Sequence, residues 1–249
     1  MEDKEVRAVI LAAGKGTRMK ADIPKVLFKI SGKPMVEYVT DACREAGIDT
    51  IYIIVGYRED MVRAELGDGY IYVRQEEQLG TGHALMQMTD ILKDFKGDIL
   101  VLNGDGPFIT PGVLKRLIEK NRETGAAGTF LTAVLENTPP FGRIVRNRKG
   151  QAVKIVEEKD AGPEIMAIKE VNTGHYCFEA DKVLSLLSVL KNDNKQNEYY
   201  LTELIDILVK KGLKVETLRE DDPLIVFGIN SREELEQAEI LINDLKRNR

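Results

Sequence analysis

Leu11-Ala12-Ala13-Gly14-Lys15-Gly16-Thr17-Arg18-Met19, followed by Pro24-Lys25-Val26-Leu27, is the stretch that decides the fold. It opens where a short apolar run, Val6 to Ala12, meets glycine. An apolar run of that length reads as a buried strand, and the glycines then permit a tight turn at its end, a common ligand position in open α/β sheets. The small residues Ala12, Ala13 and Gly14 let backbone amides come close to a ligand. Arg18 and Lys25 add two cations beside the turn. Oriented amides together with positive charge suit a triphosphate. Two other glycine-loop readings fail: a dinucleotide fingerprint needs its third glycine where Met19 stands, and a Walker loop needs a Gly-Lys-Ser/Thr ending.

Outward from this turn, strand-like and helix-like segments alternate. Pro34 to Ala46 suits a helix with Gly47 as its stop, Thr50 to Val55 a strand, Arg58 to Leu66 a helix, and Tyr70 to Val73 a strand. Gly82 to Leu92 is expected to be a helix, and Asp98 to Leu102 a buried strand ending at Asn103-Gly104-Asp105. Thr110-Pro111 places a cap before a first-turn proline and opens a helix to about Arg122. Strands separated by helices predict an α/β fold with a mostly parallel sheet and helices on both faces. The second half is less regular, with β-like pieces at Arg143 to Arg146, Ala152 to Val156 and Val171 to Phe178. Helical stretches are expected near Lys182 to Leu190 and Tyr200 to Lys211, with a strand near Val215 to Leu218 between them and the last helix. That helix carries a capping box, Ser231 with Glu234, and apolar residues at Leu235, Ala238, Leu241 and Leu245. This reads as one domain over 1–230 with a nucleotide lobe (about 1–125) and a sugar-phosphate lobe (about 126–230), then a C-terminal helix over 231–249.

The bulk numbers narrow the function classes. Hydrophobic residues make up 43% and charged residues 31% of the 249, which favours a packed core over disorder. With 41 acidic against 36 basic residues the net charge is −5, so nucleic acid is not an expected partner. No stretch approaches membrane-spanning length and no secretory signal opens the chain, so a membrane partner is not expected either, and the expected location is the cytoplasm. Cys43 and Cys177 lack metal-ligand spacing and are expected to be buried, reduced thiols.

The glycine segment resembles the signature of the sugar-nucleotide pyrophosphorylases, and most closely their N-acetylglucosamine-1-phosphate uridyltransferase branch. Further motifs match in order: Gln75 with Gln78-Leu79-Gly80-Thr81-Gly82-His83-Ala84, Gly104-Asp105, Phe141-Gly142-Arg143-Ile144, Glu157 to Asp160, Asn172-Thr173-Gly174, Asn197 to Thr202, and Gly228-Ile229-Asn230-Ser231-Arg232. The resemblance implies a Rossmann-like three-layer nucleotidyltransferase fold of the GT-A type with a mixed, mostly parallel central sheet. It implies transfer of a uridylyl group from UTP to a sugar 1-phosphate. By carry-over, Leu11, Ala12, Ala13, Gly14 and Lys25 hold the nucleotide, Gln75 pairs with uracil, and Gly80 and Thr81 close around the base. A side-chain amide can offer both a donor and an acceptor to a uracil edge. Asp105 and Asn230 match the positions that hold Mg²⁺, an ion that prefers few carboxylates and keeps several waters. Asn103, Gly104, Gly142, Glu157 and Asn172 match sugar-phosphate contacts. Arg18 and Lys25 are the expected catalytic cations. A sugar phosphate is already an anionic nucleophile, so positioning and electrostatics are expected to carry the reaction. His83 and His175 need no catalytic role.

The chain departs from the family pattern at three positions. Asn103 stands where tyrosine is usual before Gly-Asp, Gly106 where a bulkier residue is usual, and Phe108 where leucine is common. The first two bear on sugar choice. The bifunctional relatives continue into an acetyltransferase β-helix. No hexapeptide repeats follow Asn230, so neither acetyl transfer nor a β-helix trimer is expected, and a monomer or weak homodimer is. Two rivals remain at this point: a nucleotidyltransferase using another triphosphate or an alcohol phosphate, and a catalytically idle nucleotide-binding module.

Overall fold

The computed structural model describes residues 4–16, 19, 22–136, 138 and 140–247, the side chain of Lys246 excepted. The strands are β1 (Val6–Leu11), β2 (Lys29–Ile30), β3 (Lys33–Pro34), β4 (Ile51–Val55), β5 (Ile71–Arg74), β6 (Asp98–Asn103), β7 (Gly128–Val134), β8 (Arg143–Arg146), β9 (Ala152–Val156), β10 (Glu170–Glu179) and β11 (Val215–Glu220). The α-helices are α1 (Met35–Glu45), α2 (Glu59–Leu66), α3 (Thr81–Met86), α4 (Pro111–Thr124), α5 (Pro163–Met166), α6 (Ala180–Val183), α7 (Glu203–Lys210) and α8 (Arg232–Arg247).

The main sheet runs in the order β11-β7-β10-β6-β1-β4-β5, with β8 on β10 and β9 on β8. Strands β6, β1, β4 and β5 are parallel, as are β7 and β11, while β10 is antiparallel to both of its neighbours on this path. The central strands alternate sides with a period of two, as pleating requires. Ala8, Ile10, Leu100, Leu102, Ile51 and Ile53 pack with α1, α2 and α4 on one face. Val9, Ile99, Val101, Tyr52 and Ile54 pack with α3, α6 and α7 on the other. The expected three layers are therefore present. Both cysteines are free and buried, and burial pushes the Cys43 thiol up to about 12.

Helix α8 lies apart from these layers, against the β2–β3 hairpin. Ala238 and Ile242 pack with Met19, Ile30, Met35 and Phe108. Ser31 ties the hairpin to α8, its N–H and Oγ donating to Glu239 at 2.9 and 3.1 Å. The Phe108 ring meets Phe227 edge-on at 5.5 Å within this contact. The predicted capping box is formed. The Glu234 carboxylate accepts from the N–H groups of Asn230 at 2.6 Å and Ser231 at 2.9 Å, and Ser231 Oγ accepts from Glu234 N–H at 3.1 Å.

Three expectations are corrected by the structure. The helix expected over Gly82 to Leu92 ends at Met86; the N–H groups of Gln87, Met88 and Thr89 bond to carbonyls three residues back, so the chain tightens into turns. Those turns still bury Met88 and Leu92, which is why the apolar spacing read as helix. The stretch near Lys182 to Leu190 is a short α6 followed by a 3₁₀ segment, Leu184–Val189. Tyr200 to Thr202 lie outside α7, drawn away by bonds described below.

Candidate active site

The carboxyl ends of the parallel strands form the rim of a cleft of about 540 Å³. Leu11, Ala12, Ala13, Gly14, Lys15 and Gly16 line it along one side, immediately after β1. The turn is tied to the sheet on both flanks: Ala12 N–H donates to Ile54 O at 2.9 Å, and Gly104 N–H to Leu11 O at 3.0 Å. A Cβ on Gly14 would meet no atom within 4 Å, so the room beside it belongs to the cleft. Gly16 is different. Its φ is +60° and a Cβ there would overlap Lys25 Cβ, so this glycine is what lets Lys25 pass close to the turn.

Lys25 reaches the floor of the cleft and joins two residues far apart in sequence. Its Nζ forms an ion pair with Asp105 and donates to Asn230 Oδ1 at 2.6 Å. Asp105 follows β6; Asn230 precedes α8 and is held by that helix's capping box. Two oxygens predicted as metal ligands thus converge on one point, where a cation already stands.

On the far side of the cleft lies Gln75, just after β5 and 3% exposed. Its Nε2 donates to Gly80 O at 3.2 Å and lies 3.0 Å from His83 Nδ1. Gly80 has φ +110°, and a Cβ on it would lie 2.6 Å from Tyr199 O. Here two of the motifs turn out to be one structure. Tyr199 N–H donates to Leu79 O at 2.8 Å, Gly82 N–H to Tyr199 O at 2.7 Å, and Leu201 N–H to Thr81 Oγ1 at 3.1 Å. Segment 199–201 is zipped against 79–82, which explains why Tyr200 to Thr202 do not join α7.

A second hollow of about 140 Å³ adjoins the cleft through Leu11, Thr81 and Asn103. Gly142, Glu157, Asn172, Tyr176 and Thr202 are among its walls. Asn172 Nδ2 donates to Tyr176 OH at 2.7 Å, and its Oδ1 accepts from Gly174 N–H at 3.3 Å. Glu157 Oε1 accepts from Thr202 Oγ1 at 2.9 Å; burial pushes the Glu157 carboxyl above its ordinary range, partly offset by that hydrogen bond. The strand β10 breaks register between Asn172 and Tyr176, with Gly174 at φ +80°. This bulge is the physical content of the Asn-Thr-Gly motif. A Cβ on Gly174 would overlap the Asn103 amide, so the bulge glycine makes room for Asn103.

The matching family model, nucleotidyl transferase, covers residues 7–222. The chain belongs to the nucleotidyl transferase family. It is 46% identical over 231 residues to the bifunctional protein GlmU of Acetivibrio thermocellus, covering 93% of this chain and 50% of that protein. With the GlmU of Brevibacillus brevis the identity is 44% over 235 residues, 94% and 51% of the two chains. The chain thus spans about half the length of these relatives. A solved UDP-glucose pyrophosphorylase complexed with UDP-glucose superposes with a TM-score of 0.78 at 21% identity, over 98% of this chain and 100% of that one. A structure described as a glucose-1-phosphate thymidylyltransferase from Bacillus anthracis gives 0.77 at 21% identity, over 95% and 94%. At that identity the likeness concerns the fold.

Within this nucleotidyl transferase, most residues singled out from the sequence meet at the two hollows. Gly104 does not line them: it is buried, with a Cβ position 3.0 Å from Leu11 O. Arg18 lies outside the described residues. Several lining residues escaped the sequence reading. Lys15, Gln78 and Glu198 sit inside motifs already quoted but carried no assigned role. Arg143, 1% exposed, donates to Phe141 O and, at 3.1 Å, to Thr138 Oγ1, and so holds the loop before Gly142. His175 fills the space that Gly106 leaves. A Cβ on Gly106 would lie 3.2 Å from His175 Nε2, and burial lowers the His175 ring to about 4. No helix among the described residues is long and apolar enough to cross a membrane.

Proposed function

We propose that this nucleotidyl transferase moves a uridylyl group from UTP to a sugar 1-phosphate, N-acetylglucosamine 1-phosphate by preference, releasing pyrophosphate. The observation that carries this reading is the convergence on one cleft of the Gln75 amide, the glycine turn, and Lys25 held between Asp105 and Asn230. The 44–46% identity to GlmU proteins supports it. So do the uridyltransferase motifs, which occupy the walls of the two hollows.

Base, triphosphate and sugar then take successive stations. Gln75, with Gly80 and Thr81, receives the uracil. The turn from Leu11 to Gly14 lines the path of the phosphates, with Lys25 and Arg18 as the proposed cations. Asn103, Gly142, Glu157 and Asn172 receive the sugar; Glu157 Oε2 has no hydrogen bond among the described residues and is left for a hydroxyl. A phosphate oxygen of the sugar phosphate attacks the α-phosphorus in line. The bond from that phosphorus to its bridging oxygen breaks, and pyrophosphate leaves with the electron pair. The nucleophile arrives ionised, so no base is needed. What the site supplies is alignment and positive charge.

The donor set at Asp105 and Asn230, two hard oxygens facing one point at the floor of the cleft, is of the kind Mg²⁺ takes. When bound there, the ion neutralises phosphate charge. The Lys25 ammonium bonds the same two oxygens; with an ion held there, Lys25 would turn to the phosphates. Soluble substrates of this kind accord with a cytoplasmic enzyme.

Pyrophosphate release across UTP, CTP, ATP and GTP, each with several sugar and alcohol phosphates, tests the reading. UTP with N-acetylglucosamine 1-phosphate should be the best pair. CTP with an alcohol phosphate as the best pair would make the protein a cytidylyltransferase. Binding without turnover for every pair would make it an idle module.

A further inference from the structure

A side-chain amide can be turned end for end at little steric cost, so its neighbours decide which end a ligand meets. At Gln75 two neighbours vote. Gly80 O is 3.2 Å from Nε2 and can only accept; His83 Nδ1 is 3.0 Å from the same nitrogen. For both to be satisfied, Nδ1 must be unprotonated and the neutral ring must carry its hydrogen on Nε2. The other ring nitrogen lies 3.3 Å from Gln87 Nε2, a longer contact, and that amide has its own acceptor in His83 O at 3.0 Å. Gln87 Nε2 already donates to His83 O, so its 3.3 Å approach to the ring need not be a hydrogen bond, whereas Gln75 is 3% exposed and turning it would face Gly80 O with its own oxygen. The ring of His83 is itself placed by α3 and by Tyr199, 6.1 Å away between centroids.

We propose that His83 is the positioning residue that sets base choice, by taking the second Gln75 amide hydrogen and leaving Oε1 as the atom offered to the base. No hydrogen bond falls on that Oε1 among the described residues. A carbonyl acceptor pairs with the N3–H of uracil and opposes the N3 lone pair of cytosine. With His83 removed, only Gly80 O still opposes a turned amide, so the turned form, whose NH₂ end suits cytosine, costs less than in wild type. This inference rests on the uridylyl reading above.

The test is the ratio of kcat/KM for UTP to that for CTP, in wild type, His83→Leu and His83→Asn. Leucine keeps the bulk and removes the acceptor; asparagine can place Oδ1 where Nδ1 stood. His83→Leu should lower the ratio about tenfold, the effect of one mispaired buried polar group. His83→Asn should hold it within about threefold of wild type, since the acceptor is restored. A purely structural role for His83 would lower both constants together and leave the ratio intact, and that result overturns the proposal. So does identical behaviour of the two variants. Equal use of UTP and CTP by wild type would overturn the uridylyl reading and this inference with it; a strong wild-type preference kept by His83→Leu would overturn this inference alone. Nitrogen NMR of the His83 ring in the unaltered protein gives an independent readout. Nδ1 should resonate as an unprotonated imidazole nitrogen, and a proton on Nδ1 would contradict the assignment.

Discussion

Leu11–Gly16, Gln75 and Asn103 stand at the ends of strands in one parallel set, whereas Gly142, Glu157 and Asn172 are gathered from separate segments around the antiparallel strand β10. On the nucleotide side each residue inherits its position from the sheet. On the sugar side, positions depend on bonds between side chains: Thr202 to Glu157, Asn172 to Tyr176, and the Asn103 amide over the Gly174 bulge. The first kind of site is rigid because the core is rigid. The second is adjustable, because replacing one partner resets its neighbours.

The largest effect should come where the two sides meet. Asp105→Ala should lower kcat on the order of a thousandfold, because it removes the carboxylate facing the metal point and the partner of Lys25. The fold should survive, since Asp105 is only half-buried. Unchanged turnover at limiting Mg²⁺ would put the metal elsewhere. Lys25→Ala should lower kcat about a hundredfold and change the KM for UTP much less, as expected for charge used in the transition state. A rise in KM with kcat intact would make Lys25 a ground-state contact and weaken the distinction between turn and floor.

The glycine turn and the helix caps could be read from sequence because their signals are local. The run into Gly14 and Gly16, the Thr110-Pro111 cap and the Ser231–Glu234 box each lie within a few residues of what they control. Gln75, Gly80 and Thr81, like the proposed sugar contacts, were singled out only through motif resemblance. No spacing rule tells that segment 199–201 zips onto 79–82, or that β10 enters the parallel set reversed with a bulge at Gly174. Those are long-range pairings, fixed by tertiary packing. The link from Gly106 to His175 was illegible for the same reason: an absent Cβ and a buried ring are complementary only once the fold brings them together.

Smaller effects sharpen the comparison. Glu157→Gln should raise the KM for the sugar phosphate about tenfold and leave that for UTP within about twofold. Burial raises the Glu157 carboxyl, so the folded state holds its proton more tightly than the unfolded chain, and the ionised form costs stability as pH rises past the ordinary carboxylate range. The glutamine variant should therefore be no less stable than wild type at neutral pH; a clear loss in a urea melt would argue against that sign.

The last effect, read in stability rather than turnover, concerns His175. Its ring is held near 4 against an ordinary 6.5, so the unfolded chain binds the proton first as pH falls. The contribution of the neutral ring is complete above about 6.5 and is lost toward about 4, on the order of 3 kcal/mol if the whole shift is expressed. The urea midpoint of wild type should fall more steeply across that window than that of His175→Asn. Parallel curves would show that the ring is solvated in the folded protein.

The most direct test of the two-sided cleft is a matrix of KM values: UTP and N-acetylglucosamine 1-phosphate, each measured in wild type, Gln75→Glu and Glu157→Gln. The account predicts that Gln75→Glu raises the KM for UTP at least tenfold with little effect on the sugar phosphate, and that Glu157→Gln does the reverse. If both substitutions raised both KM values equally, or if each acted on the other substrate, base and sugar would not occupy the stations assigned to them here.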